Sequence, residues 1–200
     1  ILKFGDVSVI SFHATKILNT FEGGAVVSSS KTIKKRVDLI KNFGIKDEET
    51  VSRVGINAKM SEINSAMGLL QLKYLDNIIY ERKKIFQIYL DGIKENKNIG
   101  ILQIPDNVKY NYAYFLLFFK KGKNSRDLAY KILKKKNVYC RKYWYPLITE
   151  HPMYIKKSFK NSFNLSNQIL ALPIYPFLDI ETQNNIIKER SELVGRSDHS

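Results

Sequence analysis

The residues best suited to chemistry lie near the amino terminus, in the run Ser11-Phe12-His13-Ala14-Thr15-Lys16 followed by Glu22-Gly23-Gly24-Ala25. A lysine works as a Schiff-base nucleophile where its amine sheds a proton easily, through partial desolvation or nearby positive charge. The small and hydroxyl residues around Lys16 leave room for a bulky partner. Ser11 can offer a hydroxyl to a phosphate, and Gly23 and Gly24 let the backbone pass close to a ring. Further along, Arg141 can grip a diphosphate with both arms or pair with a carboxylate. The aromatic run Tyr143-Trp144-Tyr145 serves either as core or as a platform for a ligand. Spacing makes this chemistry possible without proving it, since Lys16 is one of 26 lysines.

Ordered elements must position these groups. Val7, Val9 and Ser11 alternate with Ser8, Ile10 and Phe12, which predicts a short strand, and residues 24–29 predict a second. The chemistry-bearing loop, His13 to Gly23, joins them. Ser30 is placed to cap a helix from Lys31 to Asn42 that Gly44 stops, and a polar loop runs on to Val54. Ser61 is placed to cap a second helix, with Ile63, Ala66, Met67, Leu70 and Tyr74 along one face. Its apolar pattern resumes at Leu75, with a break expected near Asp76 and Asn77. Residues 95–100 read as a linker into a smaller α/β layer. That layer comprises a central strand over Tyr110–Phe119, a helix over Ser125–Lys136, a strand over Val138–Trp144, a proline-bearing loop and a last helix from Ile180 to Leu193. The expected domains are therefore 1–95 and 96–194. Residues 195–200 form a polar, unpatterned tail, either vector-derived or frayed.

Composition narrows the classes. An apolar content of 44% supports a packed core. The single cysteine, Cys140, excludes an intramolecular disulfide and fits a reducing cytoplasm, and no cluster of metal ligands is evident. No apolar run approaches the roughly 20 residues that a membrane helix needs. A net charge of +14 invites a nucleic-acid reading, yet only seven of the 33 basic residues are arginine and the lysines are spread over helical faces. No nucleic-acid or membrane partner is expected. A positive surface also suits an anionic nucleotide substrate.

The segment Gly5-Asp6-Val7-Ser8-Val9-Ile10-Ser11-Phe12-His13-Ala14-Thr15-Lys16, with Glu22-Gly23-Gly24-Ala25-Val26-Val27, closely resembles the cofactor-lysine segment of the DegT/StrS sugar aminotransferase family. A second block, Gly55-Ile56-Asn57-Ala58-Lys59-Met60-Ser61-Glu62 with Ala66-Met67-Gly68-Leu69, is similar in register. A third resemblance links Asn111–Phe115, Arg141–Pro146 and Leu172–Pro176 to the small domain of members acting on dTDP-linked keto sugars.

The resemblance implies an α/β protein of the aspartate aminotransferase-like, fold type I class of pyridoxal-phosphate (PLP)-dependent transferases, with a truncated large domain and a small C-terminal α/β domain. It implies that Lys16 carries the PLP and shuttles the proton of the transfer, that Ser11 holds the PLP phosphate, and that His13 lies beside the cofactor or the sugar. Asn57 would reach the cofactor phosphate of a neighbouring subunit, making a homodimer with shared active sites. Lys59 would meet the nucleotide diphosphate, with Tyr145 and Arg141 near the substrate. A lysine at position 16, where dehydratases of the family have histidine, favours amino transfer. The expected reaction moves nitrogen from L-glutamate to a nucleotide-linked keto-deoxysugar, dTDP-4-keto-6-deoxyglucose or its 3-keto isomer, for surface polysaccharide or a glycosylated metabolite. The rival readings are a non-catalytic basic binding module or an inactive partner subunit. The family's N-terminal half is expected to be missing, leaving the first strands with open edges.

Overall fold

The computed structural model describes residues 4–155 and 157–195, with side chains described as far as Lys188. Apart from the backbone of Gly195, the expected tail lies outside the described residues. The chain divides into two compact units, Ile1–Asp76 and Asn77–Ser200.

In the first unit, β1 (Ser8–Ser11) pairs antiparallel with β2 (Gly24–Val27), with Ser8 opposite Val27 and Ser11 opposite Gly24. The pairing brings the two ends of the intervening loop together at Ser11 and Gly24. Helix α1 (Lys31–Ile40) starts where expected, the Ser30 hydroxyl accepting the Ile33 N–H at 3.3 Å. It ends two residues earlier than Asn42, and the Gly44 N–H closes on the Leu39 carbonyl at 2.8 Å. The polar loop beyond is tied by bridges Ile45 to Val51 and Asn42 to Asn57. Helix α2 (Glu62–Ile93) begins after Ser61, whose hydroxyl accepts the Asn64 N–H at 3.2 Å.

The break expected near Asp76 and Asn77 does not occur, and α2 is continuous. Both residues are only modestly poor helix formers, and neither a proline nor a glycine removes a bond there. The division between units falls inside this helix, not at residue 95. The reason is packing: Ile85, Phe86, Tyr89 and Ile93 belong to the second unit's core.

In the second unit, β3 (Ile99–Ile101), β4 (Phe115–Phe119) and β5 (Ile169–Leu172) form an antiparallel sheet in the order β3-β4-β5. Helices α3 (Lys123–Lys135), α4 (Lys160–Gln168) and α5 (Ile180–Gly195) accompany it. Strand β3 begins inside the expected linker and runs one residue beyond it, and the expected proline-bearing loop conceals both α4 and β5. The central strand is shorter than expected because Tyr112 takes a positive φ of 56°. The carbonyls of Tyr112 and Ala113 accept instead from buried Arg82, at 3.1 and 2.9 Å. The strand expected over Val138–Trp144 reduces to one bridge, Arg141 to Ala171.

Phe115 sits at the centre of the core, fully buried, with its ring 4.8 Å from Phe86 and 5.1 Å from Tyr89. Cys140 is buried as a small apolar filler, and burial pushes its thiol up to about 12. An unfolded thiol ionises from about pH 8.5 upward, so the unfolded chain loses its proton first. The contribution of Cys140 to stability is complete below that pH and erodes as pH rises toward the folded value. Disulfide-exchange reagents are accordingly expected to modify Cys140 only at the rate of unfolding; immediate labelling of the native chain would contradict its burial.

Candidate active-site loop and aromatic cleft

The loop between β1 and β2 is built by its own backbone. The Phe12 N–H donates to Gly23 O, Thr20 N–H to Phe12 O and Lys16 N–H to His13 O, each at 2.9 Å. Helix α2 locks it from one side: the Asn64 amide donates to Thr20 O at 2.8 Å and to Glu22 O at 2.7 Å. Replacing Asn64 by alanine takes one donor from each of those carbonyls and leaves only the local bonds, Glu22 N–H to Thr20 O and the Thr20 hydroxyl to Glu22 O, at a cost of about 0.5–1.5 kcal/mol per lost bond. Faster amide exchange at Phe12, Thr20 and Glu22 is the expected result, and unchanged exchange would show that Asn64 does not hold the loop.

Ser11, His13 and Lys16 are thus presented by one ordered turn. The Ser11 hydroxyl, at the end of β1, is exposed and weakly accepts the His13 N–H at 3.4 Å. The His13 Nδ1 lies 2.9 Å from the Thr15 hydroxyl and its Nε2 lies 3.6 Å from Glu22, an ion pair only when the ring is protonated. Lys16 is half-buried, and its amine has no partner among the described residues. The glycines at positions 23 and 24 also have local causes within the chain. A side chain on Gly23, at φ 151°, would meet Thr20 Oγ1 at 2.5 Å, and one on Gly24 would meet Ile10 O at 2.7 Å.

Asn57 and Lys59 lie on the strap before α2, both exposed. The Lys59 amine donates to Asn57 Oδ1 at 3.0 Å and sits 4.5 Å over the Phe43 ring. Lys59 also borders a groove of about 1180 Å³ between β2, α1 and the start of α2.

Arg141 and Tyr145 belong to the second unit, where they line a cleft of about 1070 Å³ with Tyr143, Trp144, Ile148 and Phe159 among its walls. The backbone of Arg141 exchanges two hydrogen bonds with Ala171 of β5, at 3.0 and 2.7 Å. That fixes one end of the loop while leaving the guanidinium exposed. Beneath Tyr145 lies a charged group that the sequence reading missed. Arg126 faces its ring at 4.8 Å, and Asp127 sits 2.7 Å from Lys142. Burial works against the Asp127 carboxylate, but Lys142 and Arg126 hold it below the usual carboxylate range. The available signal was spacing, because Arg126 shares a helical stripe with buried Ala129 and Leu133. Among the described residues no cluster of metal ligands occurs, and no helix is long and apolar enough to cross a membrane.

The class of the chain, that of the sugar aminotransferases, follows from its family match. Residues 1–190 match the model of the DegT/DnrJ/EryC1/StrS aminotransferase family, and the chain belongs to that family. It is 45% identical over 195 residues to a dTDP-4-amino-4,6-dideoxy-D-glucose transaminase of Escherichia coli, covering 94% of this chain and 52% of that protein. A protein of the same name from Shigella dysenteriae is 37% identical over 199 residues, covering 96% and 54%. The crystal structure of DesI with its TDP-sugar product superimposes with a TM-score of 0.87 at 27% identity, covering 96% of this chain and 50% of that one. The chain spans about half the length of these relatives, and its α/β fold is theirs over that half.

Proposed function

We propose that the chain forms part of a PLP-dependent aminotransferase that moves nitrogen from L-glutamate to a nucleotide-linked keto-deoxysugar. The observation that carries this reading is Lys16: a half-buried lysine whose amine has no partner among the described residues, on a turn that also presents a hydroxyl and an imidazole. That donor set fits a phosphorylated aldehyde. Bound there, the cofactor would supply the electron sink that amino transfer requires. Lys16 would carry it and move the proton at its amine, Ser11 would hold the phosphate, and His13 would flank the ring. The names of the E. coli and S. dysenteriae relatives support a dTDP-4-keto-6-deoxy sugar over its 3-keto isomer.

In this reading the active protein is a cytoplasmic homodimer in which Asn57 reaches a neighbouring subunit's cofactor phosphate, and its product feeds surface polysaccharide such as lipopolysaccharide. Lys59 contacts the substrate diphosphate, and Arg141 and Tyr145 contact the substrate from the aromatic cleft. Lys59→Ala is then expected to raise KM for the nucleotide sugar about 10-fold, the scale of one lost charge-assisted bond, while the half-reaction with glutamate keeps its rate. Equal loss in both would remove Lys59 from the substrate site.

The direct test is borohydride reduction after mixing with PLP, followed by peptide mapping, on this chain and on a form extended to its relatives' length. Label on Lys16 in either supports the reading. Label on other lysines alone, or none, overturns it.

A further inference from the structure

Arg126 is among the largest fully buried side chains, in the company of Tyr89, Phe115, Phe119, Leu133 and Leu170. A guanidinium withdrawn from water needs substitutes for the hydration it loses. Two are polar: Nη1 donates to Ser166 O, near the end of α4, at 2.7 Å, and Nε lies 2.7 Å from Asp127 Oδ1. The contact to Asp127 is an ion pair without hydrogen-bond alignment, so neither Nε nor Nη2 has a hydrogen-bond partner among the described residues. The remaining substitute is the face of Tyr145, whose centroid lies 4.8 Å from the guanidinium carbon. A desolvated cation over an aromatic face is a strong form of that contact.

The ring benefits as much as the charge. Tyr145 is 37% exposed, on a loop whose backbone is held at Arg141 by Ala171 and at Leu147 by the Glu150 carboxylate. Lys142 holds the ring less directly: its amine is 5.8 Å from Tyr145 but 4.5 Å from Tyr130, and it is paired with Asp127. Lys123 lies 5.4 Å from the ring and reaches it from the first turn of α3.

We propose that Arg126 is a positioning residue: it holds the Tyr145 ring in the cleft wall and so sets affinity for the nucleotide sugar without touching it. The inference rests on the reading of Tyr145 as a substrate residue. It requires arginine specifically, because a planar guanidinium stacks where an ammonium offers only a point charge.

Trp144, the only tryptophan of the chain, reports on this loop independently of catalysis. Arg126→Lys, Tyr145→Leu and the double variant are compared by acrylamide quenching of Trp144 in this chain, and by KM and kcat in the PLP-loaded extended form. Arg126→Lys is expected to raise quenching and to raise KM for the nucleotide sugar about 10-fold, one lost cation–π contact, with kcat held. Added to Tyr145→Leu, it should change neither. Arg126→Met is the second variant, since it leaves no unpaired charge buried if the lysine prevents folding, and the same pattern is expected. Equal effects with and without the Tyr145 ring overturn the proposal. Should quenching show the coupling while Tyr145→Leu leaves KM unmoved, the control of affinity is refuted, together with the substrate role of Tyr145. An extended form with no amino transfer at all refutes the functional reading and the affinity claim alike, and quenching then decides only whether Arg126 holds the ring.

Discussion

Replacing Lys16 by alanine should lower amino transfer to the keto sugar by at least about 10³-fold, the loss expected when a covalent and proton-shuttling group disappears. The fold should be untouched. The Lys16 side chain has no partner among the described residues, and the turn is held by backbone bonds that alanine keeps, including its own N–H to His13 O at 2.9 Å. The two halves of the expectation are measured separately, by product formation in the extended form and by circular dichroism and thermal melting of the variant. Retained activity would remove Lys16 from the chemistry. Lost activity accompanied by a lost fold would instead make it a structural residue, contrary to its surroundings here.

The largest expected effect on stability lies in the other unit. Phe115→Ala should cost about 3–5 kcal/mol, the range for truncating a fully buried phenylalanine. The site has little freedom to collapse: the ring is hemmed by Phe86 and Tyr89, and β4 is paired on both edges. Denaturant unfolding monitored at Trp144 gives the value. A cost below about 2 kcal/mol would mean that the core relaxes into the space and is less tightly packed than its geometry indicates.

Patterns carried by local chemistry were legible in the sequence. Ser30 and Ser61 announce their helices because a cap hydroxyl acts on an N–H three residues on, and alternation at Val7–Phe12 announces β1. The Ser11–Lys16 turn was found because its residues are contiguous. What the sequence concealed depends on distant partners. Strand β5 is buried along its whole length and therefore does not alternate, and α4 before it is a polar run with weak helix signals. Residues 110–114 carry strand-like aromatics, yet Arg82, far away along the chain, claims two of their carbonyls. Arg126 carried only the faint signal of its spacing with Ala129 and Leu133, for a related reason. Charge ordinarily marks a solvated face, and only the packing of α4 and Tyr145 against it makes this one buried.

Strand β5 has a consequence beyond the sheet. It pairs with β4 on one side and bridges Arg141 on the other, so the strand that completes the core also anchors the wall of the aromatic cleft. The cleft therefore exists only in molecules whose second unit has closed. By mass action, any molecule that occupies it draws on the folding equilibrium itself, adding about 2.7 kcal/mol at a hundred times its Kd. Melting temperature thus becomes an assay for cleft ligands, one that needs neither turnover nor cofactor.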